Sequence, residues 1–201
     1  MLTSSFFQRT DVLAIARELI GMQLTTRFNS AETSGIIVET EAYAGITDKA
    51  SHAWNNRRTQ RTEIMYAEGG TAYVYLCYGI HHLFNVVTNV KDVPHAILIR
   101  ALEPTAGIEH MLERRNKPKL DATLTKGPGA LSQAMGITTH LTGSSLLINT
   151  QIEISEMSGK ELDIGFSPRI GVDYAGDDAQ LPYRFFVRGN KYVNGKPSFN
   201  K

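Results

Sequence analysis

Glu39, Glu41 and Tyr43 stand two residues apart in the run IIVETEAYAG. Apolar and polar residues alternate there, which predicts a β-strand. A period of two puts Val38, Thr40 and Ala42 on one face and Ile37, Glu39, Glu41 and Tyr43 on the other. Two carboxylates and a phenol on one face could do acid–base chemistry. Residues two apart on a strand are separated by about 6.6 Å, inside the range of about 6.5–9.5 Å between the carboxyls of inverting glycosidases. That mechanism needs the two groups on opposite sides of the bond, and strand neighbours approach from the same side. One working carboxylate is therefore expected, with the other salt-bridged or bonded to backbone. Taken alone, either glutamate reads more simply as a paired strand residue.

A second group of residues is aromatic. Tyr73, Tyr75 and Tyr78 fall within six residues, and Tyr43 and His52 precede them. The strand period places Tyr73 and Tyr75 on one face, where tyrosines are ordinary packing. Tyr78 opens the tetrapeptide Tyr78-Gly79-Ile80-His81, which reads as a hairpin turn with Gly79 near its tip. An aromatic ring at a tip has little to pack on, which points to insertion into something. Glu39, Glu41, Asp48, His52, His81 and His82 could ligate a metal, but none has a zinc spacing, and no metal or cofactor is expected. No nucleophile elbow, P-loop or dinucleotide fingerprint is present. GPGALSQAMG puts glycines before a helix, a weak phosphate signal. Cys77, the one cysteine, lies in an apolar run and reads as packing.

These residues need a scaffold. The segment TDVLAIARELIGMQL predicts a helix capped by Thr10 or Asp11, with a stripe of Leu13, Ala16, Leu19 and Ile20 and a stop at Gly21. TAYVYLCYGIHHLFNVVTN predicts two strands around the turn, and PHAILIRALEP a strand ending at Arg100. TAGIEHMLERRN and GALSQAMG predict helices; SLLINTQIEI and RFFVRGNKYV predict strands. The long polar stretch TDKASHAWNNRRTQRTEIMYAEGG reads as functional or partly helical. Hairpins mixed with helices, without strict βαβ alternation, predict an α+β fold: a curved, mixed, largely antiparallel sheet surrounded by helices, with a protruding hairpin. The 201 residues are expected to form a single domain, 1–201.

Bulk composition is that of a globular protein, 42% hydrophobic and 20% charged. The net charge of +1 does not announce a nucleic-acid binder, but Arg57, Arg58 and Arg61 cluster in NNRRTQRT, and a neutral total can hide a basic face. The amino-terminal residues do not read as a signal peptide, and no apolar run approaches the roughly 20 residues of a membrane helix. The expectation is a cytoplasmic protein.

The order VETEAY, SH, RRTQR, AYVYLCYG, FNV, LIRALEP, GPGALSQAMGI, RIGVDYAG, RFFVRG resembles the alkyladenine (3-methyladenine) DNA glycosylase family, the methylpurine glycosylases that lack a helix-hairpin-helix. The likeness covers nearly the whole chain. It implies an enzyme that flips alkylated or deaminated purines out of double-stranded DNA and hydrolyses the N-glycosidic bond, without cutting the strand. It implies Glu41 as general base and Arg100 as a residue holding the backbone and the catalytic water. Tyr43, His52 and Tyr75 match the residues that sandwich the base, and Asn85 one that rejects the amino group of normal guanine. Tyr78 matches the wedge in the minor groove, and Arg57 and Arg61 fall where phosphates are contacted. A monomer is expected, because one hairpin needs no two-fold symmetry. Glu39 is expected to pair with a nearby arginine. Trp54, His81 and His82 receive no role.

The chemistry fits these roles. Flipping a base costs a few kcal/mol, less for a damaged pair, and stacking returns about 1–3 kcal/mol per base. Alkylation makes the purine cationic, which tyrosine faces attract. A binding module for damaged DNA would use the same aromatics and arginines, but a carboxylate near anionic DNA would be a handicap to it. A hydrolase of small nucleosides would leave the hairpin tyrosine and the basic cluster without purpose.

Overall fold

The computed structural model describes residues 2–148, 151–157 and 161–195. A short helix α1 (Ser4–Phe7) leads into α2 (Val12–Glu18). Asp11 caps α2, its side chain accepting from the N–H groups of Leu13 and Ala14, which satisfies donors that the first turn leaves unpaired. The buried stripe is Val12, Ile15, Ala16 and Leu19. Ala16 and Leu19 are thus buried as expected, as is Ile20, while Leu13 is only partly buried and Val12 and Ile15 join the stripe. The helical segment has ended by Gly21, at φ +90°, where a stop was expected, and the chain then enters strand β1 (Gln23–Phe28).

β1 turns into the thirteen-residue strand β2 (Ala31–Tyr43). A long crossing segment with 3-10 turns at Gly45–Thr47, Trp54–Asn56 and Glu63–Tyr66 follows. The hairpin is β3 (Ala72–Cys77) and β4 (His81–Thr88). β5 (His95–Ala106) runs six residues beyond the expected end at Arg100, because β2 is long enough to pair with it as far as Ser34–Ala106. Helices α3 (Ile108–Arg114) and α4 (Pro128–Met135) come next, α4 ending at Gly136 in the left-handed region. Short strands β6 (Ile152–Ser155), β7 (Ile164–Ser167) and β8 (Arg184–Val187) complete the sheet. Residues 145–148 of SLLINTQIEI form a bridge and turn; 149–150 lie outside the described residues, and only its last part is strand. RFFVRGNKYV likewise leaves the sheet after Val187.

The strand order is β3-β4-β5-β2-β1-β6, with β8 also paired to β2 and β7 to β8. Every pairing among the described residues is antiparallel. β2 lies at the centre: β5 follows one edge, while β1 takes the first half of the other edge and β8 the second. One sheet face carries the main core. Phe84, Val86, Ile97, Ile99 and Leu102 pack there with Ile15 and Leu19 of α2 and with Leu131 and Met135 of α4. Truncating Phe84, which is fully buried, to alanine costs about 3–5 kcal/mol.

The alternation of β2 is interrupted. Pairing with β5 steps from Ile37–Leu102 to Glu39–Ala101 and then to Thr40–Ile99, skipping Val38 on one strand and Arg100 on the other. Ile37 and Ala42 consequently share the main core, and Thr40 donates to the Ala16 carbonyl of α2. Val38 packs instead with Ala101, Phe186 and Tyr192 on the opposite face. The expected grouping of Ile37 with the glutamates is thus corrected: a bulge flips the pattern between residues 37 and 39. Bulges re-aim side chains beside active sites, and this one turns Arg100 towards both glutamates.

Candidate active site

Alternation along β3 sends Ala72 and Val74 into the main core and Tyr73 and Tyr75 to the other face. On β4 it buries Phe84 and Val86 and turns Asn85 the same way as the tyrosines. The 44–71 segment folds over this face and seats Ala53, Met65 and Tyr66 on it. The residues 170–180 close the side, where Val172, Ala175 and Ala179 pack with Ala50 and Tyr43. Between them lies a narrow pocket of about 40 Å³, lined by Tyr43, His52, Tyr73, Tyr75, Asn85 and Tyr174, together with Ala50, Met65 and Ala96.

The four expected base-contacting residues, Tyr43, His52, Tyr75 and Asn85, thus come together around one pocket. His52 meets Tyr75 edge-on, with ring centroids 4.8 Å apart. Burial, reinforced by the charges of Arg61 and Arg57, lowers the His52 pKa to about 4. The imidazole is therefore neutral at physiological pH. Arg61 lies 3.4 Å from Nε2, making that nitrogen the acceptor, so Nδ1–H donates to the Tyr73 hydroxyl 2.9 Å away. Both amide hydrogens of Asn85 go to backbone carbonyls, those of Tyr73 and Leu83, which makes its side chain a fixed wall.

Glu41 is fully buried behind Tyr43. Its Oε2 accepts from the Tyr43 hydroxyl at 2.8 Å and faces Arg100 Nη1 at 3.1 Å; its Oε1 accepts from Ile170 N–H at 2.7 Å. A carboxylate has about four acceptor positions, and these three contacts occupy all but one of them. Burial, with the carboxylate of Glu41 next, drives the Tyr43 phenol well above its ordinary pKa, so it stays a donor. Glu39 is bound away from the pocket. It accepts from Arg100 Nε and Arg184 Nε, both at 2.8 Å, and from Asn194 N–H. Burial pushes its pKa up, but the two guanidiniums outweigh that and hold it below its ordinary value. The expected arginine partner is therefore two partners. Arg100 is itself buried; desolvation works against its charge, and the two glutamates more than restore it.

Tyr78 is 93% exposed at the hairpin tip, at φ +50° beside Gly79 at +72°. Positive φ at both central residues suits a tight hairpin turn. The arginine cluster divides by partner. Arg58 is held by Glu63 and Asp92 over the Tyr66 ring, whereas Arg57 has no carboxylate partner among the described residues and Arg61 lies over Tyr75 with its guanidinium carbon 4.9 Å from the centroid. Of the residues weighed as metal ligands, Glu39 and Asp48 are committed to arginines and His52 to Tyr73.

Two residues of the site receive no role in the sequence reading, although the segment that holds them, RIGVDYAG, is among those that carry the resemblance. Arg169 is buried, donates to both oxygens of Asp48 and to the Ala42 carbonyl, and lies over the Tyr43 ring at 4.9 Å. Tyr174 forms a pocket wall, its hydroxyl donating to the Ala50 carbonyl. Both belong to RIGVDYAG, far from the other site residues along the chain.

An aromatic pocket thus has a buried carboxylate and a buried guanidinium behind Tyr43. The family model described as Methylpurine-DNA glycosylase (MPG) matches residues 5–191. A protein of Chlamydia felis is 50% identical over 196 residues, covering 95% of this chain and 98% of its own. A Bacillus cereus protein is 44% identical over 199 residues, covering 94% and 97%, and one of Natranaerobius thermophilus 43% over 191, covering 94% and 96%. All three carry the provisional name 3-methyladenine DNA glycosylase. The chain belongs to the methylpurine-DNA glycosylase family. It is a DNA-repair hydrolase that acts on the N-glycosidic bond.

Proposed function

We propose that the chain acts as one monomeric glycosylase domain, which flips a damaged purine from double-stranded DNA into the aromatic pocket and releases it without cutting the strand. Glu41 takes a proton from the attacking water and stabilises the cationic sugar. One open acceptor position on its buried carboxylate, next to the pocket-lining Tyr43, is the observation that carries this reading. General-base assistance of this kind is worth about 10²–10⁴-fold. Arg100 positions Glu41 and the water. Tyr43, His52 and Tyr75 hold the flipped base, and the immobile Asn85 amide leaves no space for the guanine amino group.

Tyr78, exposed and apolar-faced, enters the minor groove and fills the vacated space, which supports a duplex substrate. Arg57 and Arg61 take phosphates, Arg58 being neutralised by its own carboxylates. A neutral His52 suits a purine that arrives cationic. The expected substrates are 3-methyladenine, 7-methylguanine, hypoxanthine and ethenoadenine.

The test is purine release from alkylated and hypoxanthine-containing duplexes, with abasic sites revealed by alkali. Wild type should release purines, and Glu41→Gln should bind without releasing them. Release by the variant at the wild-type rate would remove Glu41 from the mechanism.

A further inference from the structure

Beside the base pocket lies a second concavity of about 490 Å³, lined by Lys49, Ser51, His52, Trp54, Arg57 and Tyr174. It shares His52 and Tyr174 with the first, so the two are separated by one layer of side chains. Trp54 is 46% exposed and Tyr174 70%, which is unusual for such large rings. Neither Lys49 nor Arg57 has a carboxylate partner among the described residues. Of the nearby acidic groups, Asp178 accepts from the backbone N–H of Lys49, and Asp48 is committed to Arg169.

The loop that presents Trp54 is held firmly. Ala53 before it is fully buried. Asn55 and Asn56 after it both sit at positive φ, 55° and 56°. Asn56 is fixed by the Tyr66 hydroxyl, and the Arg57 carbonyl by Thr62. Side chains with positive φ cost energy and persist where the surroundings impose them. The turn thus holds an indole out in solvent next to two free cations.

Exposed rings interleaved with unpaired cations are the means by which proteins hold single-stranded nucleic acid: phosphates on the cations, bases on the rings. We infer that this groove is a second nucleotide subsite, which receives the nucleotide next to the flipped one on the same strand, with its base on the Trp54 indole and its phosphate between Lys49 and Arg57. The inference rests on the glycosylase reading above. Continuity through His52 and Tyr174 selects the occupant, since the strand that delivers a base to the first pocket passes over the shared wall. The consequence is a dependence of excision on the base next to the lesion.

Trp54 is the only tryptophan in the chain, so its emission reports on this groove alone. The Glu41→Gln protein would be titrated with end-labelled duplexes carrying hypoxanthine or ethenoadenine, reading label anisotropy and tryptophan emission together. The expected result is binding with quenching of Trp54 at saturation. Trp54→Ala should weaken lesion binding about five- to a hundredfold, with Trp54→Phe restoring most of it. Lys49→Ala should reduce the slope of log affinity against log salt by about one phosphate contact. Saturable binding with unchanged emission, or a Trp54→Ala protein that binds as tightly as its parent, would overturn the subsite and leave the glycosylase reading standing. Absence of binding in the anisotropy channel would sink both.

Discussion

Glu39 and Glu41 share one guanidinium: Arg100 gives Nε to the first at 2.8 Å and faces the second with Nη1 at 3.1 Å. Two like charges on one strand are thereby joined through a single cation. The cation in turn is held at the bulge where Val38 and Arg100 drop out of register. The pair divides labour by its other partners. Glu39 reaches Arg184 and Asn194, in the protein interior; Glu41 reaches Tyr43, in the pocket wall.

The two glutamates should therefore fail differently. Glu41→Gln is expected to lower the rate of purine release by about 10²–10⁴-fold and to fold. Glu39→Gln leaves the buried Arg100 and Arg184 short of a counter-charge, a loss of about 3–5 kcal/mol. Urea denaturation beside single-turnover kinetics separates the two, and equal stability losses would contradict the division.

His52 makes the pocket sensitive to acid. Its folded pKa of about 4 lies below its ordinary 6.5, so between those values the unfolded chain binds more protons than the native one. The stability it contributes is complete above pH 6.5 and is lost as the pH falls towards 4. Imidazole NMR signals of His52 should stay neutral down to that region. Replacing Arg61 with alanine should move the titration upward, because one of the two neighbouring positive charges is gone.

Tyr78 touches little of its own protein, so its removal should cost the fold almost nothing. Tyr78→Ala is expected to keep its denaturation midpoint, with any change within about 0.5 kcal/mol. Lesion binding should weaken by about five- to a hundredfold if the ring fills a vacated stack. Parallel melting and anisotropy titrations check both halves.

Asp48 and Arg169 are both buried and bonded at two points. Asp48→Ala strands the guanidinium under Tyr43, and a loss of about 3–5 kcal/mol is expected. The double change Asp48→Leu with Arg169→Leu should recover part of it, because no unpaired charge is then left inside. Chemical denaturation of the three variants would show whether the pair acts as a unit.

Much of this arrangement was legible before any coordinates. The alternation in TAYVYL put Tyr73 and Tyr75 on one face, where they are found, because that strand pairs in unbroken register with β4. Asp11 and Gly136 marked helix ends by residue type. The bulge at Val38 was not legible, since neither glycine nor proline marks it and only the partner strand reveals it. Arg57, Arg58 and Arg61 are alike in sequence; the carboxylates of Glu63 and Asp92, one of them far along the chain, tell them apart. Arg169 and Tyr174 reach the pocket through tertiary folding alone, which residue type and spacing do not encode.

The central strand β2 has another side to it. Its backbone is hydrogen-bonded along both edges, so the carboxylate proposed for the chemistry stands on a segment that opens only when much of the sheet opens. The groups proposed to meet the duplex around the flipped base, Arg57, Arg61 and Tyr78, sit instead on the crossing segment and the hairpin tip, outside the strand ladders. Capture can therefore adapt to a distorted duplex by local motion, while the reacting centre keeps one geometry throughout.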